Sequence, residues 1–221
     1  MLKNLRVIIP ARAGSKGYPE KNRILFPYTA NAIPGIYRRD TYVSSNDNGI
    51  LEKALHEYNF ICHQRPGFLC EDDTSMKPVL KNFVEYFKFA DEDYIMMLYL
   101  TYPERTELDI KRAIDFFESN NGKSMLCRQE WKGIHPCLCM LNKGGWKGEQ
   151  FRSHNLFQRQ QYPSVFELSH FIFICQVGEL ENLNMNLYNL NTIFFPIMRV
   201  HDIDNEADFL DYLENNKGGK K

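Results

Sequence analysis

Three features that are missing from the sequence each exclude a class of protein. No apolar run approaches the roughly 20 residues that a membrane-spanning helix needs. The formal net charge is −1, so the chain lacks the basic excess of a dedicated nucleic-acid binder. A strand-like pattern begins at Leu5 and leaves no room for a signal peptide before it. We therefore expect a cytoplasmic protein with no membrane partner and no nucleic-acid partner.

The six cysteines include no Cys-x-x-Cys pair. Cys137 and Cys139, with His135 close by in the sequence, are compatible with zinc ligation. Alternating positions on an apolar stretch are more often plain strand residues, and we favour that interpretation. Reduced thiols in the cytoplasm are the expectation that follows.

The composition is that of a chain that can build a substantial core. Of 221 residues, 43% are hydrophobic and 14% aromatic, which argues against general disorder. The length suits one globular domain with at most a small subdomain. We predict a single domain over 1–221.

Strand and helix patterns alternate along the first half of the chain. Continuous apolar runs predict strands at 5–10, 41–45, 60–62, 94–100, 171–174 and 194–200. Apolar residues at helical spacing predict helices at 49–58, 77–89, 107–119 and 205–213. This alternation predicts an α/β fold, a mostly parallel nucleotide-binding sheet with helices on both faces. Between 123 and 173 the runs are short and separated by Gly144, Gly145 and Pro163, which indicates a β-rich insertion.

The loop after the first strand is the densest candidate for a binding site. Arg12, Lys16 and Lys21 place three fixed cations within eleven residues, and Ser15 adds a hydroxyl. Small residues let the backbone N–H groups approach a polyphosphate closely and form an anion-binding concavity. The spacing is not that of a P-loop. The alternative is a solvated basic turn after an edge strand.

This segment resembles the amino-terminal signature of the acylneuraminate cytidylyltransferases, the CMP-sialic acid synthetases and their relatives. Positions 9–22 match Ile-Pro-Ala-Arg-x-Gly-Ser-Lys-Gly-x-Pro-x-Lys-Asn at every specified residue. Thinner similarities follow: Ser-Ser-Asn-Asp at 44–47, Arg-Pro-x-x-Leu-x-x-Asp at 65–72, Arg-Gln-x-x-Pro at 159–163 and Asp-Ile-Asp at 202–204.

The resemblance implies a nucleotide-diphospho-sugar transferase-like fold and a role for each matched position. The substrates would be CTP and an acidic sugar, the cofactor Mg²⁺, and the assembly a homodimer joined through the β-rich region 123–173. Catalytic roles fall to Arg12, Lys16 and Asp204. The implied nucleotide-binding residues are Ala11, Arg12, Gly14, Ser15, Lys16, Lys21, Asn22, Arg65 and Ser75. The implied sugar-binding residues are Tyr99, Arg159 and Gln160, and the implied metal ligands are Asp202 and Asp204.

The metal assignment also has a basis in the residues themselves. Two aspartates at i and i+2 leaving a strand project to the same side, and carboxylate oxygens suit Mg²⁺ that bridges a polyphosphate. The alternative is that Asp204 caps the last helix. Asp208, one helical turn onward, is a weaker candidate ligand.

The sequence departs from the family pattern mainly around the sugar. Tyr99 stands where the family has a glutamine that faces the sugar. Glu167 stands where it has an arginine, so another base such as Arg159 or Arg128 would have to receive a sugar carboxylate. Met76 replaces a second serine near the cytosine. Two alternatives therefore stay open: the same fold using GTP or a sugar phosphate, or a nucleotide-binding relative without turnover. His135, His154 and His170 are weaker candidates for a catalytic base.

The segment after Asn22 is several residues shorter than the family pattern. Positions 23–38 must take its place, and Pro27 and Pro34 are expected to break any long helix there. The rim of the site is therefore expected to differ from that of its relatives.

Overall fold

The computed structural model describes residue 2 and residues 4–217. The strands are β1 Leu5–Pro10, β2 Thr41–Ser45, β3 Ile61–Gln64, β4 Tyr94–Met97, β5 Ser124–Glu130, β6 Met140–Asn142, β7 Gly148–Gln150, β8 Phe166–Gln176 and β9 Ile193–Pro196. The α-helices are α1 Lys21–Ala32, α2 Asn48–Tyr58, α3 Met76–Tyr86, α4 Glu107–Ser119 and α5 Glu206–Lys217.

A mostly parallel sheet organises the described part of the chain. Seven strands are ordered β3-β2-β1-β4-β8-β5-β9. β1 is parallel to β2 and β4, β2 to β3, and β5 to β9. β8 runs antiparallel between β4 and β5. The predicted fold class is thereby confirmed.

The two faces of the sheet bury two separate hydrophobic clusters. On β1, Val7 and Ile9 belong to one cluster and Ile8 to the other, as the period of two along a strand requires. α1, α2, α4 and α5 cover the first cluster, and α3 covers the second together with the segment 177–187. Helices therefore lie on both faces.

Local side-chain contacts decide where two of these helices begin. The Asp47 carboxylate accepts hydrogen bonds from the backbone N–H groups of Gly49 and Ile50 and caps α2. Thr106 and Asp109 form a capping box at the start of α4. Asp47 also binds Arg23 at 2.8 Å, and this contact lowers the pKa of its carboxyl group. Both caps place helices directly after loops that border the carboxyl ends of the parallel strands.

The expectation that Pro27 breaks a helix is wrong, because α1 runs for 12 residues with Pro27 inside it. Proline within a helix costs roughly 3 kcal/mol through its missing donor and its ring. Leu25 and Phe26 beside it are both fully buried against the sheet, and each contributes roughly 1.5–3 kcal/mol. Burial therefore offsets the proline. The helix does end two residues before Pro34, as proline geometry favours.

The region inserted outside the sheet is shorter than predicted. β5 and β8 are both strands of the main sheet, so 131–165 is the part of 123–173 that leaves it. There β6 and β7 form a separate antiparallel pair. Cys137 and Cys139 lie in and just after a short 3-10 turn, Pro136–Leu138, so the prediction that they are strand residues is wrong.

No three His, Cys, Asp or Glu side chains of the described residues form a group that could hold a metal. The ring nitrogens of His135 bind the carbonyl of Pro163 and the N–H of Cys137, so this histidine holds the loop together. All six cysteines are free thiols. In the same described residues, no helix is long and apolar enough to cross a bilayer.

Candidate functional site

A cavity of about 300 Å³ opens at the carboxyl ends of β1 and β4. This edge is where ligands bind in open parallel sheets, because the loops that leave neighbouring strands meet there. The lining residues are Pro10, Arg12, Ser15, Lys21, Asn22, Arg65, Leu69, Glu71, Thr74, Met76, Tyr99, Leu100 and Thr101. Six of the residues expected to bind nucleotide or sugar therefore line one cavity: Arg12, Ser15, Lys21, Asn22, Arg65 and Tyr99. Ala11 is fully buried and outside the lining.

Hydrogen bonds between backbone groups of the loop after β1 and neighbouring residues hold this loop in place. The N–H of fully buried Ala11 donates to the carbonyl of Ser44 at 2.9 Å, and that of Ala13 donates to Asn46 Oδ1 at 2.7 Å. Asn22 Nδ2 donates to the carbonyl of Arg12 at 2.8 Å. Gly14 has φ of +78°, a left-handed conformation that side-chain-bearing residues rarely adopt. Asn22 thus supports the loop from within as well as lining the cavity.

Asp72 neutralises two of the cations on this loop. Its carboxylate lies 2.7 Å from Arg12 Nη1 and also contacts Lys16 Nζ. Both contacts lower the pKa of Asp72. Lys16 is 83% exposed, so its ammonium can move from Asp72 to another anion with little rearrangement. Asp72 therefore bridges these two cations.

Arg65 is a buried cation at the floor of the cavity, with 4% of its surface exposed. Its Nη2 donates to the carbonyl of Ser44 at 2.8 Å, and its Nε donates to Ser44 Oγ at 3.3 Å. Its third nitrogen, Nη1, has no protein partner among the described residues. Burial lowers the pKa of the guanidinium, which still stays charged at neutral pH. A buried donor facing a cavity is suited to binding a polar ligand atom.

The first loop and the carboxyl-terminal aspartates are in direct contact. Lys21 Nζ donates to the carbonyl of Ile203 at 2.9 Å and lies 3.6 Å from Asp204 Oδ1. A Cβ added at Gly17 would lie 2.9 Å from the carbonyl oxygen of Asp204, so glycine is required for this approach. The first loop and the carboxylates therefore lie side by side in one site.

Asp202 and Asp204 lie at the edge of the cavity, outside its lining. The Ile203 N–H between them donates to the carbonyl of Thr101 at 2.9 Å, and Thr101 lines the cavity. Tyr102 Oη donates to Asp202 Oδ2 at 2.8 Å. Burial and the nearby Asp202 raise the pKa of Tyr102, which keeps the phenol protonated as a donor.

The start of α5 is capped by residues other than Asp204. Asn205 Oδ1 accepts from the N–H of Asp208, and Asp208 Oδ2 accepts from the N–H groups of Asp204 and Asn205. These hydrogen bonds lower the pKa of Asp208. The Asp204 side chain is 80% exposed and carries no cap hydrogen bond in the described residues. The geometry therefore favours its availability as a ligand over the capping alternative, and it gives Asp208 a structural role.

Two exposed carboxylates beside a cation-lined cavity fit Mg²⁺ by their chemistry. This ion is usually held by one or two protein carboxylates together with substrate phosphates and water. Asp202 and Asp204 supply such a pair, and polyphosphate held by the first loop would supply the remaining oxygens.

Other predicted site residues lie apart from the cavity. Ser75 precedes α3, and its Oγ lies 3.8 Å from Met185 Sδ. Arg159 and Gln160 lie in an exposed 3-10 turn, Arg159–Gln161, outside the cavity lining. Arg128 packs over the ring of Phe166, with Cζ 5.3 Å from the centroid. None of these contacts, within the described part of the chain, places a cation for the sugar at the cavity itself.

Tyr99 is positioned by a buried arginine that the sequence analysis did not single out. Arg105 Nη2 donates to the carbonyl of Tyr99 at 2.8 Å, and Arg105 Nε donates to the carbonyl of Phe171 at 2.9 Å. Burial lowers the pKa of Arg105 to about 10. The ring of Tyr99 meets His170 edge-on at 5.7 Å, and burial raises the pKa of its phenol. Arg105 lies just before α4, in the segment that joins β4 to this helix, and this place beside the carboxyl end of a parallel strand is the signal that could have identified it.

The three histidines do not form a base at the cavity. His154 Nε2 contacts the carbonyl of Cys137 at 2.8 Å, and His135 is bound within the same excursion. Burial lowers the pKa of His170, which therefore stays neutral at physiological pH. Their roles are structural in the described part of the chain, as the sequence analysis favoured.

Curated relatives confirm the family resemblance. The chain is 26% identical over 215 residues to an N-acylneuraminate cytidylyltransferase of Streptococcus agalactiae serotype V, which covers 92% of this chain and 51% of the relative. It is 31% identical over 140 residues to a pseudaminic acid cytidylyltransferase of Campylobacter jejuni, which covers 59% of this chain and 60% of the relative. The chain thus spans about half the length of the N-acylneuraminate cytidylyltransferase that it matches. No protein-family model matches it.

A solved structure confirms the fold independently. The chain is similar to a CMP:2-keto-3-deoxy-manno-octonic acid synthetase complexed with CTP, with a TM-score of 0.66 at 12% identity. The match covers 99% of this chain and 100% of that one. At this identity the similarity establishes a shared architecture.

Proposed function

We propose that the protein transfers CMP from CTP to an acidic sugar and releases pyrophosphate. The observation that carries the proposal is the contact between the cationic first loop and the segment 202–204, through Lys21 and Gly17, at the edge of one cavity. The relatives that match 92% of this chain support it, since they are named N-acylneuraminate cytidylyltransferases.

The nucleotide would occupy the cavity with its phosphates on the first loop. Arg12, Ser15, Lys16 and Lys21 would bind the triphosphate, with Asp72 released from Arg12 and Lys16. The base and ribose would lie toward Asn22 and Arg65. Nη1 of Arg65 is available there as a donor from the cavity floor.

The reaction is a direct displacement at the α-phosphorus of CTP. The anomeric hydroxyl of the sugar releases its proton to solvent as its oxygen bonds to that phosphorus, the bond from the phosphorus to the oxygen that bridges the α- and β-phosphates breaks, and pyrophosphate leaves. Positioning and charge neutralisation provide most of the catalysis in phosphoryl transfer. Arg12 and Lys16 offset the charge that develops on the leaving pyrophosphate. Asp202 and Asp204 would hold Mg²⁺, which neutralises phosphate charge and lowers the pKa of a bound hydroxyl when present.

Tyr102 and Lys21 orient this carboxylate pair. The Tyr102 hydroxyl holds one oxygen of Asp202, and Lys21 lies beside Asp204 and fixes the backbone between the two. These contacts keep both carboxylates at the edge of the cavity before substrates arrive.

A homodimer joined through the excursion 131–165 is part of the proposal. This segment carries an unusual density of exposed apolar side chains, which commonly marks a protein interface. Those exposed by more than a third are Trp131, Ile134, Leu138, Met140, Leu141, Trp146, Phe151 and Phe157.

One observation favours a second candidate function, in which the protein uses another nucleotide. Met76 and Glu71 line the cavity, and a thioether beside the base removes a hydroxyl that could hydrogen-bond to cytosine. GTP or a sugar phosphate would then replace the substrates, with the same fold and phosphate site.

The decisive experiment is pyrophosphate release with Mg²⁺ by the purified protein. CTP, GTP, UTP and ATP are each tested against acidic and phosphorylated sugars. We expect release that requires CTP and an acidic sugar, and a loss of at least about a hundredfold in Asp204→Ala, since metal-stabilised charge is worth several kcal/mol. Asp115→Ala, an exposed carboxylate of α4, is the matched control and should retain activity.

Release with a different nucleotide or with a phosphorylated sugar would replace this proposal by the second function. Nucleotide binding without release on any pair would favour a relative that has lost turnover. Equal activity in Asp204→Ala and Asp115→Ala would contradict the proposed role of Asp204 in holding the metal.

A further inference from the structure

A second cavity, of about 630 Å³, opens on the other half of the sheet and reaches Asp202. Its walls come from β5, β8, the segment after β9 and the start of α5. The residues that matter here are Gln129, Glu167, Arg199, His201, Asp202 and Asp208. We refer to it as the Arg199 cleft.

Gln129 and Glu167 form a pair across two strands on the wall of this cleft. They are register partners on the antiparallel strands β5 and β8, so their side chains lie on the same face. Gln129 is only 9% exposed, and its Oε1 accepts from the N–H of Val200 at 3.3 Å. Its amide nitrogen has no protein partner among the described residues. The amide nitrogen on the cleft wall therefore has donors to offer a ligand.

Arg199 provides a cation that is only loosely held. Its Nη1 lies 3.7 Å from Glu167 Oε2, which is longer than a charge-assisted hydrogen bond. Its side chain is 54% exposed, and its other N–H groups have no protein partner in the described part of the chain. A guanidinium with uncommitted donors can bind a carboxylate with two parallel hydrogen bonds.

The cleft and the nucleotide cavity meet at one short segment. Asp202 lines the cleft, and Ile203 next to it is hydrogen-bonded to Thr101, which lines the nucleotide cavity. Lys21 of that cavity contacts the carbonyl of Ile203 at 2.9 Å. A molecule in the cleft would therefore lie beside the same carboxylates that flank the bound nucleotide.

We propose that the Arg199 cleft is the acceptor subsite and that Arg199 receives the sugar carboxylate. Glu167 orients the Arg199 guanidinium, and the Gln129 amide donates to an oxygen of the sugar. Four carboxylates also line the cleft, namely Glu167, Asp202, Asp208 and Asp211, and Arg199 is the single Lys or Arg among its described lining residues. A sugar carboxylate in the cleft would therefore be placed at Arg199. Arg199 thereby takes over the function of the cation that Glu167 replaces in the sequence, which Arg159 and Arg128 are not placed to do. This assignment rests on the proposed function and specifies the acceptor side of it.

The test measures KM for the acidic sugar and for CTP in Arg199→Met, Arg199→Lys and the unmodified protein. Arg199→Met removes a charge-assisted hydrogen bond to the sugar carboxylate. The loss of this binding energy should raise the sugar KM about tenfold or more. The CTP KM should change less than about twofold on the same scale. Arg199→Lys should recover part of the loss because it keeps the charge without the planar fork. Arg39→Met, an exposed arginine in the 3-10 segment Gly35–Asp40, is the matched control.

A methyl ester of the same sugar distinguishes carboxylate binding from a structural effect. The penalty of Arg199→Met should largely disappear with the ester, because the group that Arg199 binds has lost its charge. An equal penalty on sugar and ester, or an unchanged sugar KM, would overturn the assignment of Arg199. A parallel rise in the CTP KM would also overturn it. Failure of the unmodified protein to release pyrophosphate with any acidic sugar contradicts the proposed function instead.

Discussion

At the scale of single residues, Lys21 is the contact on which both halves of the site depend. It is 9% exposed, and its ammonium supplies a hydrogen bond to the carbonyl of fully buried Ile203. Lys21→Met should destabilise the fold by about 1–3 kcal/mol, since it leaves a buried acceptor without a partner. Urea unfolding measures this change. Lys53→Met on the surface of α2 should cost less than about 0.5 kcal/mol, and equal losses in both variants would contradict the argument.

In the proposed complex, the triphosphate displaces Asp72 from Arg12 and Lys16. Asp72→Asn should therefore tighten CTP binding by about two- to fivefold, a small gain because exposed ion pairs contribute little. Titration calorimetry at low and high salt measures the effect, which should shrink as salt screens the pair. Asp73→Asn, its exposed neighbour in sequence, is the control. Weaker binding in Asp72→Asn than in this control would show that Asp72 helps to hold the ligand.

At the scale of elements, the Asp208 cap of α5 makes the free energy of unfolding depend on pH in the acidic range. Hydrogen bonds from two backbone N–H groups lower the pKa of Asp208 below its unfolded value of about 3.9. The contribution is therefore complete above that value and is lost as pH falls through the lower folded-state pKa. The free energy of unfolding should decrease below about pH 4. In Asp208→Asn this decrease should be smaller. Identical pH profiles for the two proteins would show that the Asp208 cap does not cause the decrease.

The pattern of residues predicts most elements but not their tertiary surroundings. The helix 107–119 was predicted at its observed bounds because its apolar spacing and its Thr106–Asp109 cap are both local. Pro27 shows the opposite case, since burial of Leu25 and Phe26 outweighs the local preference. The contact of Asp72 with Arg12 and that of Tyr102 with Asp202 each join residues that are far apart in the sequence, by 100 positions in the second case. No local spacing encodes such pairs.

At the scale of the whole molecule, the excursion 131–165 should control assembly. Trp146 is fully exposed and Phe157 is 81% exposed, so both project from the body of the protein. Trp146→Ser combined with Phe157→Ser should shift the protein from dimer to monomer in sedimentation velocity, because buried aromatic side chains dominate interface energies. Leu190→Ser, an equally exposed apolar residue outside the excursion, should leave the dimer intact. A monomeric unmodified protein would contradict the proposed dimer.

The residues proposed for the nucleotide lie closer together in the sequence than those proposed for the sugar. Arg12 lies on the loop after β1, and Lys21 and Asn22 begin α1 directly after that loop, so their proximity follows from their short separation in the sequence. Glu167 lies on β8 and Arg199 in the segment after β9, and they meet because β8 and β9 both pair with β5. An antiparallel strand within an otherwise parallel order is set by the path of the chain, which apolar patterning does not encode.

The bond between Lys21 and Ile203 joins residues 182 positions apart. During synthesis, the cationic loop therefore leaves the ribosome long before the carboxylates beside it have been made. Until the segment 202–204 follows, the Lys21 ammonium lacks the carbonyl that it binds in the folded protein. The two halves of the proposed site can thus assemble only after 203 residues have been joined, so the order of synthesis separates the two halves in time as the fold brings them together in space.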